Sequence, residues 1–299
     1  MHNILVTTII PTYKRADLLP KAIDSVLNQT YRNIEVIVVD DNNPKTEFRY
    51  NTEQIMENYK NDGRVIYLKH DKNRNGAAAR NTGINTSKGE VICFLDDDDF
   101  FINTKIEKQL NCLLNDKEYD GVYCGRLHSG KNVTSEQVGN LSKTILLVDF
   151  IPGTPTLMFY KKALIEIGGF NEKYLRHQDS ELLLRFFENH KINSVPEQLV
   201  IVGENEGENE VHGTELEKLK TGFINEFALQ IDSYGKKFRK NVYCKQYTYV
   251  FFDYLQIKQV NSAIKIYFKS AYKYPIMFSY YILRHALNVV KFRLRRLWQ

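Results

Sequence analysis

The sequence predicts an α/β fold: a mixed, mainly parallel sheet flanked by helices over residues 1–205, followed by a helical, basic region over residues 206–299. Three observations predict it. Residues 34–39 and 91–95 are apolar runs with little or no polar alternation, as suits strands covered on both faces. Segments with apolar residues at helical spacing alternate with such runs, which argues for right-handed crossovers between parallel strands. Both runs end in carboxylates, Asp40-Asp41 and Asp96-Asp97-Asp98-Asp99, at the edge where ligands of parallel sheets gather.

The elements follow in order. Residues 4–12 are rich in β-branched side chains and lead through Pro11-Thr12-Tyr13-Lys14-Arg15 into a loop, as a first strand would. Asp17 can cap the helix that follows; Pro20 suits its first turn, and Leu19, Ile23, Val26 and Leu27 form its apolar stripe. The second strand, 34–39, precedes a helix over 46–59 and a third strand over 65–68. A small-residue helix over 76–86 then leads to the strand at 91–95. Further on, 122–125 reads as a strand, 130–140 as a polar excursion, and 157–160 as a short strand behind the loop from Pro152 to Thr156. A helix over 161–167 stops at Gly168-Gly169, and another over 180–190 carries Leu182, Leu183, Phe186 and Phe187 inward.

At 299 residues, 43% hydrophobic and 26% charged, the chain has the composition of a soluble globular protein. Cys93, Cys112, Cys124 and Cys244 show no CxxC pair and no nearby histidines, so reduced structural thiols are expected rather than zinc ligands or disulfides. The start lacks a basic n-region before an apolar stretch, and a cytoplasmic protein is expected. Neither GxGxxG nor GxxxxGK[ST] occurs, which argues against dinucleotide and P-loop sites.

The four acids at 96–99 repel one another, and burying part of that charge demands a cation or hydrogen-bond donors. An acidic run is in general a solvated turn, but one that ends a buried strand favours a metal site. Oxygen-only ligands suit Mg2+ or Mn2+ over Zn2+. The stretch Asn73-Arg74-Asn75-Gly76-Ala77-Ala78-Ala79-Arg80-Asn81 offers small residues near a helix N-terminus and the fixed charge of Arg80, a place for phosphate; tight helix packing and a structural ion pair are the plainer alternatives.

Taken in order, Pro11-Thr12-Tyr13-Lys14-Arg15, Val38-Val39-Asp40-Asp41, Asn73 through Asn81, Phe94-Leu95-Asp96-Asp97-Asp98-Asp99, Gly168-Gly169-Phe170 and His177-Gln178-Asp179-Ser180-Glu181-Leu182 resemble glycosyltransferase family 2. The resemblance implies the GT-A fold, a Rossmann-like sheet, and an inverting transferase that moves a sugar from a nucleoside-diphosphate sugar, UDP-sugar favoured, to a hydroxyl of a glycan or polyprenyl-linked saccharide in surface-polysaccharide synthesis. It implies that Pro11, Thr12, Tyr13, Arg15, Asp40, Asp41, Asn73, Gly76, Arg80, Asp96 and Asp97 bind the donor nucleotide. Asp98 is implied as ligand of Mn2+ or Mg2+, with Asp96 and His212 as further candidates. Asp179 is implied as the general base, with Gly169, His177 and Gln178 about the acceptor. The chain departs from the pattern at Asn42-Asn43-Pro44, where glycine and serine are common, and at Gln178, where glutamate is common. A non-catalytic saccharide or nucleotide binder and a nucleotidyltransferase are the alternatives.

Residues 203–213 read as an acidic, glycine-punctuated linker or lid. Residues 214–234 then read as a helix, and Tyr247, Phe251, Tyr254 and Leu255, then Ile264, Tyr267, Phe268 and Ala271, mark two more helices before Pro275. No acid follows Asp253, while Lys258, Lys265, Lys269, Lys273, Arg284, Lys291, Arg293, Arg295 and Arg296 outweigh the net +5 of the whole chain. Ile276, Tyr280, Leu283, Leu287, Val290 and Leu294 recur at spacings of three and four. This tail is therefore expected either to lie on an anionic membrane surface or to pack on the preceding helices. No nucleic-acid-binding module is recognised.

Overall fold

The structure, a computed structural model, describes residues 3–203 and 211–297, with the backbone alone for 288–297. The chain divides into two compact units, Met1–Ser142 with Ile151–Asn205, and Lys143–Phe150 with Glu206–Gln299. The first is the α/β unit. Its strands are β1 (Val6–Thr12), β2 (Ile34–Asp40), β3 (Val65–Lys69), β4 (Val91–Phe94), β5 (Phe100–Phe101), β6 (Gly121–His128), β7 (Lys131–Val133), β8 (Leu157–Tyr160) and β9 (Ile192–Ile201). They form one sheet in the order β3-β2-β1-β4-β8-β6-β9-β5, with β7 beside β6. β3, β2, β1 and β4 run parallel; β8 enters antiparallel between β4 and β6; β6 and β9 are parallel again.

Every residue of β2 and β4 is buried, and all of β1 except Pro11, so the unalternating apolar runs reflect two covered faces. On one face α1 (Leu19–Leu27) and α4 (Lys105–Asn115) bury Leu19, Ile23, Val26, Ile106, Leu110 and Leu113 against Val6, Val36, Val38 and Cys93. The other face carries α3 (Gly76–Thr86), whose Ala77, Ala78 and Ala79 are wholly buried. There is little room to spare: a Cβ on Gly83 would lie 2.4 Å from Cγ2 of Ile9. α7 (Gln178–Phe186) sets Phe186 edge-on to Phe159 of β8, ring centroids 4.9 Å apart. α2 (Glu47–Met56) ends in a 3-10 turn over Glu57–Tyr59.

Within the expected excursion at 130–140, β6 continues to His128 and turns back as β7. Ser129 and Gly130, both at positive φ (47° and 71°), make the two-residue hairpin turn that a twisted strand pair prefers. α6 (Lys161–Glu166) ends where Gly168 and Gly169 adopt φ of 76° and 69°, their amides donating to the carbonyls of Ile165 and Leu164.

The second unit is helical. It comprises α5 (Ser142–Leu146), except for Ser142 itself, together with α8 (Gly213–Glu226), α9 (Ala228–Ser233), α10 (Lys236–Gln256), α11 (Val260–Lys273) and α12 (Pro275–Leu297). Phe227 divides the single helix expected over 214–234. Cys244, Tyr247, Val250, Tyr254, Ala263, Ile266 and Phe278 form its core. Ile264 and Phe268, two of the residues that mark this helix in sequence, are 47% and 67% exposed; the residues buried on α11 are Ala263, Ile266 and Ser270. The linker expected over 203–213 falls outside the described residues at 204–210, as do the side chains of Val290 and Leu294.

Candidate active site

The carboxyl ends of β1, β2 and β4 lie side by side: Thr12 is in register with Asp40, and the amide of Leu95 donates to the carbonyl of Ile9 at 3.0 Å. The chain leaves β4 into the acid run, and the loop after Pro11 and Thr12 crosses beside it. Asp97 is enclosed; its Oδ2 accepts from the Thr12 hydroxyl at 2.8 Å, and its Oδ1 lies 2.7 Å from Nη2 of Arg15. Nη1 of the same guanidinium meets Oδ2 of Asp98 at 2.6 Å. Burial pushes the Asp97 carboxyl up to about 7, with Asp98 and Asp96 adding to the rise while Arg15 and Thr12 oppose it. Burial by itself would lower the pKa of Arg15; the surrounding carboxylates outweigh it and raise it. Tyr13 stands partly exposed at the rim.

Asp96 turns the other way, onto Nη2 of Arg80, whose Nη1 donates to Oε1 of Gln178 at 2.8 Å. Arg80 also lies over the ring of Phe170, 5.5 Å from its centre. Gly76 leaves room for it, since a Cβ there would come within 3.1 Å of Nη1. One guanidinium therefore joins the acid run to the helix that carries Asp179. That carboxyl is half-buried, accepting from the Ser180 amide at 2.7 Å. Burial raises its pKa; the Ser180 amide, then Arg126, the Ser180 hydroxyl and Arg80 draw it down. Asp179 is not the cap of α7: His177 occupies that position at φ 58°, in the left-handed region, and offers no side-chain cap bond.

Four of the expected positions have partners within the protein. Asp40 faces inward, wholly buried: its carboxylate pairs with Nε of Arg49 at 3.0 Å and accepts from the Tyr67 hydroxyl and the Asn42 amide. Asp41, 2% exposed, clamps the loop after β3. Its two oxygens take the amides of Arg74 and Asn75, the side-chain amide of Asn73 and the ring of His70, all at 2.7–2.8 Å. At the N-terminus of α3 the amides of Ala77 and Ala78 donate to the side chain of Asn75. Gly169 belongs to a helix stop with close packing: a Cβ on it would strike Oδ1 of Asn81 at 2.5 Å.

Sequence reasoning passed over Arg126 and Arg185. Arg126 lies on β6 beyond the apolar run used to find that strand, and it packs on Gly153, where a Cβ would come within 2.6 Å of its Nη1. Arg185 clasps Glu181 through two bonds of 2.6 Å and donates to the carbonyls of Ile167 and Gly169, bracing the turn before Phe170. Glu181 and Arg185 stand at i and i+4, which was a visible signal. Asp99 accepts from the Gly203 amide at 2.9 Å. His212 belongs to the helical unit, where its Nδ1 meets Asp253 at 2.6 Å.

No group of three or more His, Cys, Asp or Glu side chains among the described residues forms a ready cage for a metal. A diphosphate-bound Mg2+ or Mn2+ requires less, one or two carboxylates with phosphate oxygens completing the shell. Asp98, partly exposed beside Asp96, meets that requirement.

The family model described as Glycosyl transferase family 2 matches residues 7–172. An uncharacterized glycosyltransferase of Haemophilus influenzae is 28% identical over 191 residues, 62% of either chain. UDP-Glc:alpha-D-GlcNAc-diphosphoundecaprenol beta-1,3-glucosyltransferase WfaP of Escherichia coli is 36% identical over 115 residues, 38% of this chain and 43% of that one. The chain thus spans less than two thirds of the curated relatives it matches. Among solved structures, Staphylococcus aureus TarS 1-349 in complex with UDP-GlcNAc superposes with a TM-score of 0.59 at 16% identity, covering 90% of this chain and 92% of that one. The mannosyltransferase PcManGT of Pyrobaculum calidifontis, in complex with GDP-Man and Mn2+, gives 0.60 at 17% identity, covering 98% and 82%. The fold is GT-A.

Proposed function

The chain belongs to glycosyl transferase family 2, and on that premise we propose that it is an inverting glycosyltransferase using a nucleoside-diphosphate sugar, UDP-sugar favoured. The acceptor is a hydroxyl of a glycan or polyprenyl-linked saccharide destined for a surface polysaccharide. One observation carries the proposal: Arg80 bonds to both Asp96 and Gln178, so the strand-end acids and the half-buried Asp179 share one electrostatic network. Both solved neighbours hold a nucleoside diphosphate or its sugar, and the WfaP relative is named for a lipid-linked acceptor.

The chemistry is a direct displacement. Asp179 accepts the proton of the acceptor hydroxyl as its oxygen attacks the anomeric carbon; burial lifts the carboxylate's basicity and Arg126 and Arg80 keep it ionisable. Bound Mn2+ or Mg2+, held by Asp98 with Asp96, would neutralise charge on the departing diphosphate. Arg15 holds Asp97 and Asp98 in place and presents a half-exposed guanidinium toward the same charge. Asp41 positions residues 73–75 along the nucleotide side, and Tyr13 and Arg15 cover it. Residues 1–205 are assigned the catalysis and 206–299 a basic helical role, in a cytoplasmic protein working at the inner face of the cell membrane.

Incubation with a panel of UDP-, GDP- and dTDP-sugars and Mn2+, with an EDTA control, tests the proposal through release of nucleoside diphosphate. Release from one donor, abolished by EDTA, is the expected result. Tight nucleotide-sugar binding without turnover, even with lipid-linked acceptors supplied, would identify a binding protein. Pyrophosphate release from nucleoside triphosphates would identify a nucleotidyltransferase.

A further inference from the structure

The helical unit leaves an apolar stripe uncovered on each of α11 and α12. Val260, Ile264, Phe268 and Tyr272 of α11 are 52%, 47%, 67% and 95% exposed, and Ile276, Tyr280, Leu283 and Leu287 of α12 are 87%, 56%, 61% and 51% exposed. At 3.6 residues per turn the four on α12 fall within a sector of roughly 60°. They are not the residues that hold the helix down: Met277, Phe278, Tyr281 and Ile282 pack into the core of the unit. Each helix therefore has two apolar faces, one buried and one bare. Single exposed apolar residues need no explanation, but eight in regular succession mark an interaction surface.

The charge beside the stripe selects what covers it. Lys258, Lys265, Lys273 and Arg284 are exposed on or next to these helices and neither helix contains a carboxylate, while Lys269 meets Glu217 of α8 at 3.3 Å. A second copy of the chain would bring the same positive charge against itself. No helix among the described residues is long and apolar enough to cross a bilayer, which leaves lying along one. We propose that α11 and α12 dock the protein on an anionic lipid surface, the apolar stripes entering the headgroup layer and the lysines and Arg284 meeting lipid phosphates. The transferase proposal supplies only the reason for such a place, delivery to a lipid-linked acceptor, and the test below involves no donor or turnover.

The full chain is mixed with vesicles of phosphatidylglycerol and phosphatidylcholine, or of phosphatidylcholine alone, and sedimented at 0.1 and 0.5 M salt. The expected result is binding to anionic vesicles that weakens at high salt. Ile264→Gln/Phe268→Gln and Ile276→Gln/Leu283→Gln should each weaken it at least tenfold, with unchanged circular dichroism and thermal unfolding. Lys258→Glu/Lys265→Glu removes no packed side chain and keeps the proposal testable should the apolar variants misfold; each reversal should cost about fivefold or more. Failure of the parent to sediment with anionic vesicles at 0.1 M salt would overturn the proposal. So would binding indifferent to all three variants, or light scattering that finds a dimer dissociated by the apolar variants.

Discussion

Replacing Arg15 by methionine should expose what holds the acid run together before any ligand arrives. In the native protein one guanidinium contacts Asp97 at 2.7 Å and Asp98 at 2.6 Å. Asp97's side chain is fully enclosed, and removing one partner of a buried pair costs about 3–5 kcal/mol when the other stays charged. Asp98 is partly exposed, and its share is at most about 1 kcal/mol. The sum depends on pH because burial lifts Asp97 to about 7. A carboxyl raised in the folded state contributes stability fully present below its ordinary range near 4 and lost as pH rises to 7. Without Arg15 its pKa rises further, so the variant continues to lose stability above pH 7 where the parent has levelled off. At pH 8 the deficit should be about 3 kcal/mol or more, and at pH 5.5, with Asp97 protonated in both proteins, about 1 kcal/mol. At about 2–4 °C per kcal/mol these correspond to a fall in Tm of about 6–12 °C at pH 8 and about 2–4 °C at pH 5.5. Thermal unfolding followed by circular dichroism across that range gives the answer. A deficit equal at both pH values, or a variant as stable as the parent at pH 8, would refute the role assigned to this pair.

Asp98→Asn should reduce Mn2+-dependent UDP binding at least tenfold while leaving metal-free binding as it was; calorimetric titration with and without Mn2+ checks this, and parental behaviour in both arms removes Asp98 as the metal ligand. Asp179→Asn should keep donor affinity and lower the transfer rate by about 10²–10⁴, the usual worth of a general base. Arg126→Met removes a positive charge that draws Asp179 down, so the acid limb of the kcat/KM profile should move to higher pH, with Arg126→Lys returning it; an unmoved limb would separate Arg126 from the base. Gly83→Ala forces a methyl to 2.4 Å from Ile9 in a closed core. The overpacking costs about 1–3 kcal/mol, of which alanine's helix propensity returns at most about 1, so a lower midpoint in urea is expected.

The features legible in the chain were those carried by local pattern. The unalternating run ending at Leu95 and the one ending at Val39 suit covered strands, and right-handed crossovers bring their carboxyl ends to one edge. α3 and β8 have the limits expected from sequence, because small residues and bracketing loops mark both there. Even the exposed stripe of α12 was visible as a spacing of three and four. The partners of charged groups were not legible, since a carboxylate at a strand end looks the same whether it meets solvent, a guanidinium or a turn of backbone amides. Only the packing of β3 and α2 beside β2 brings Tyr67 and Arg49 onto the buried Asp40, and only the close approach of the 70–75 loop lets Asp41 clamp it. Arg80 shows the division most plainly. Its charge and its place among alanines were written in the sequence. Its simultaneous grip on Asp96 and Gln178, separated from it by 16 and 98 positions, exists only because α3 and α7 lie on the same face of the sheet, and charge pairing over such separations is fixed by packing, not by local preference.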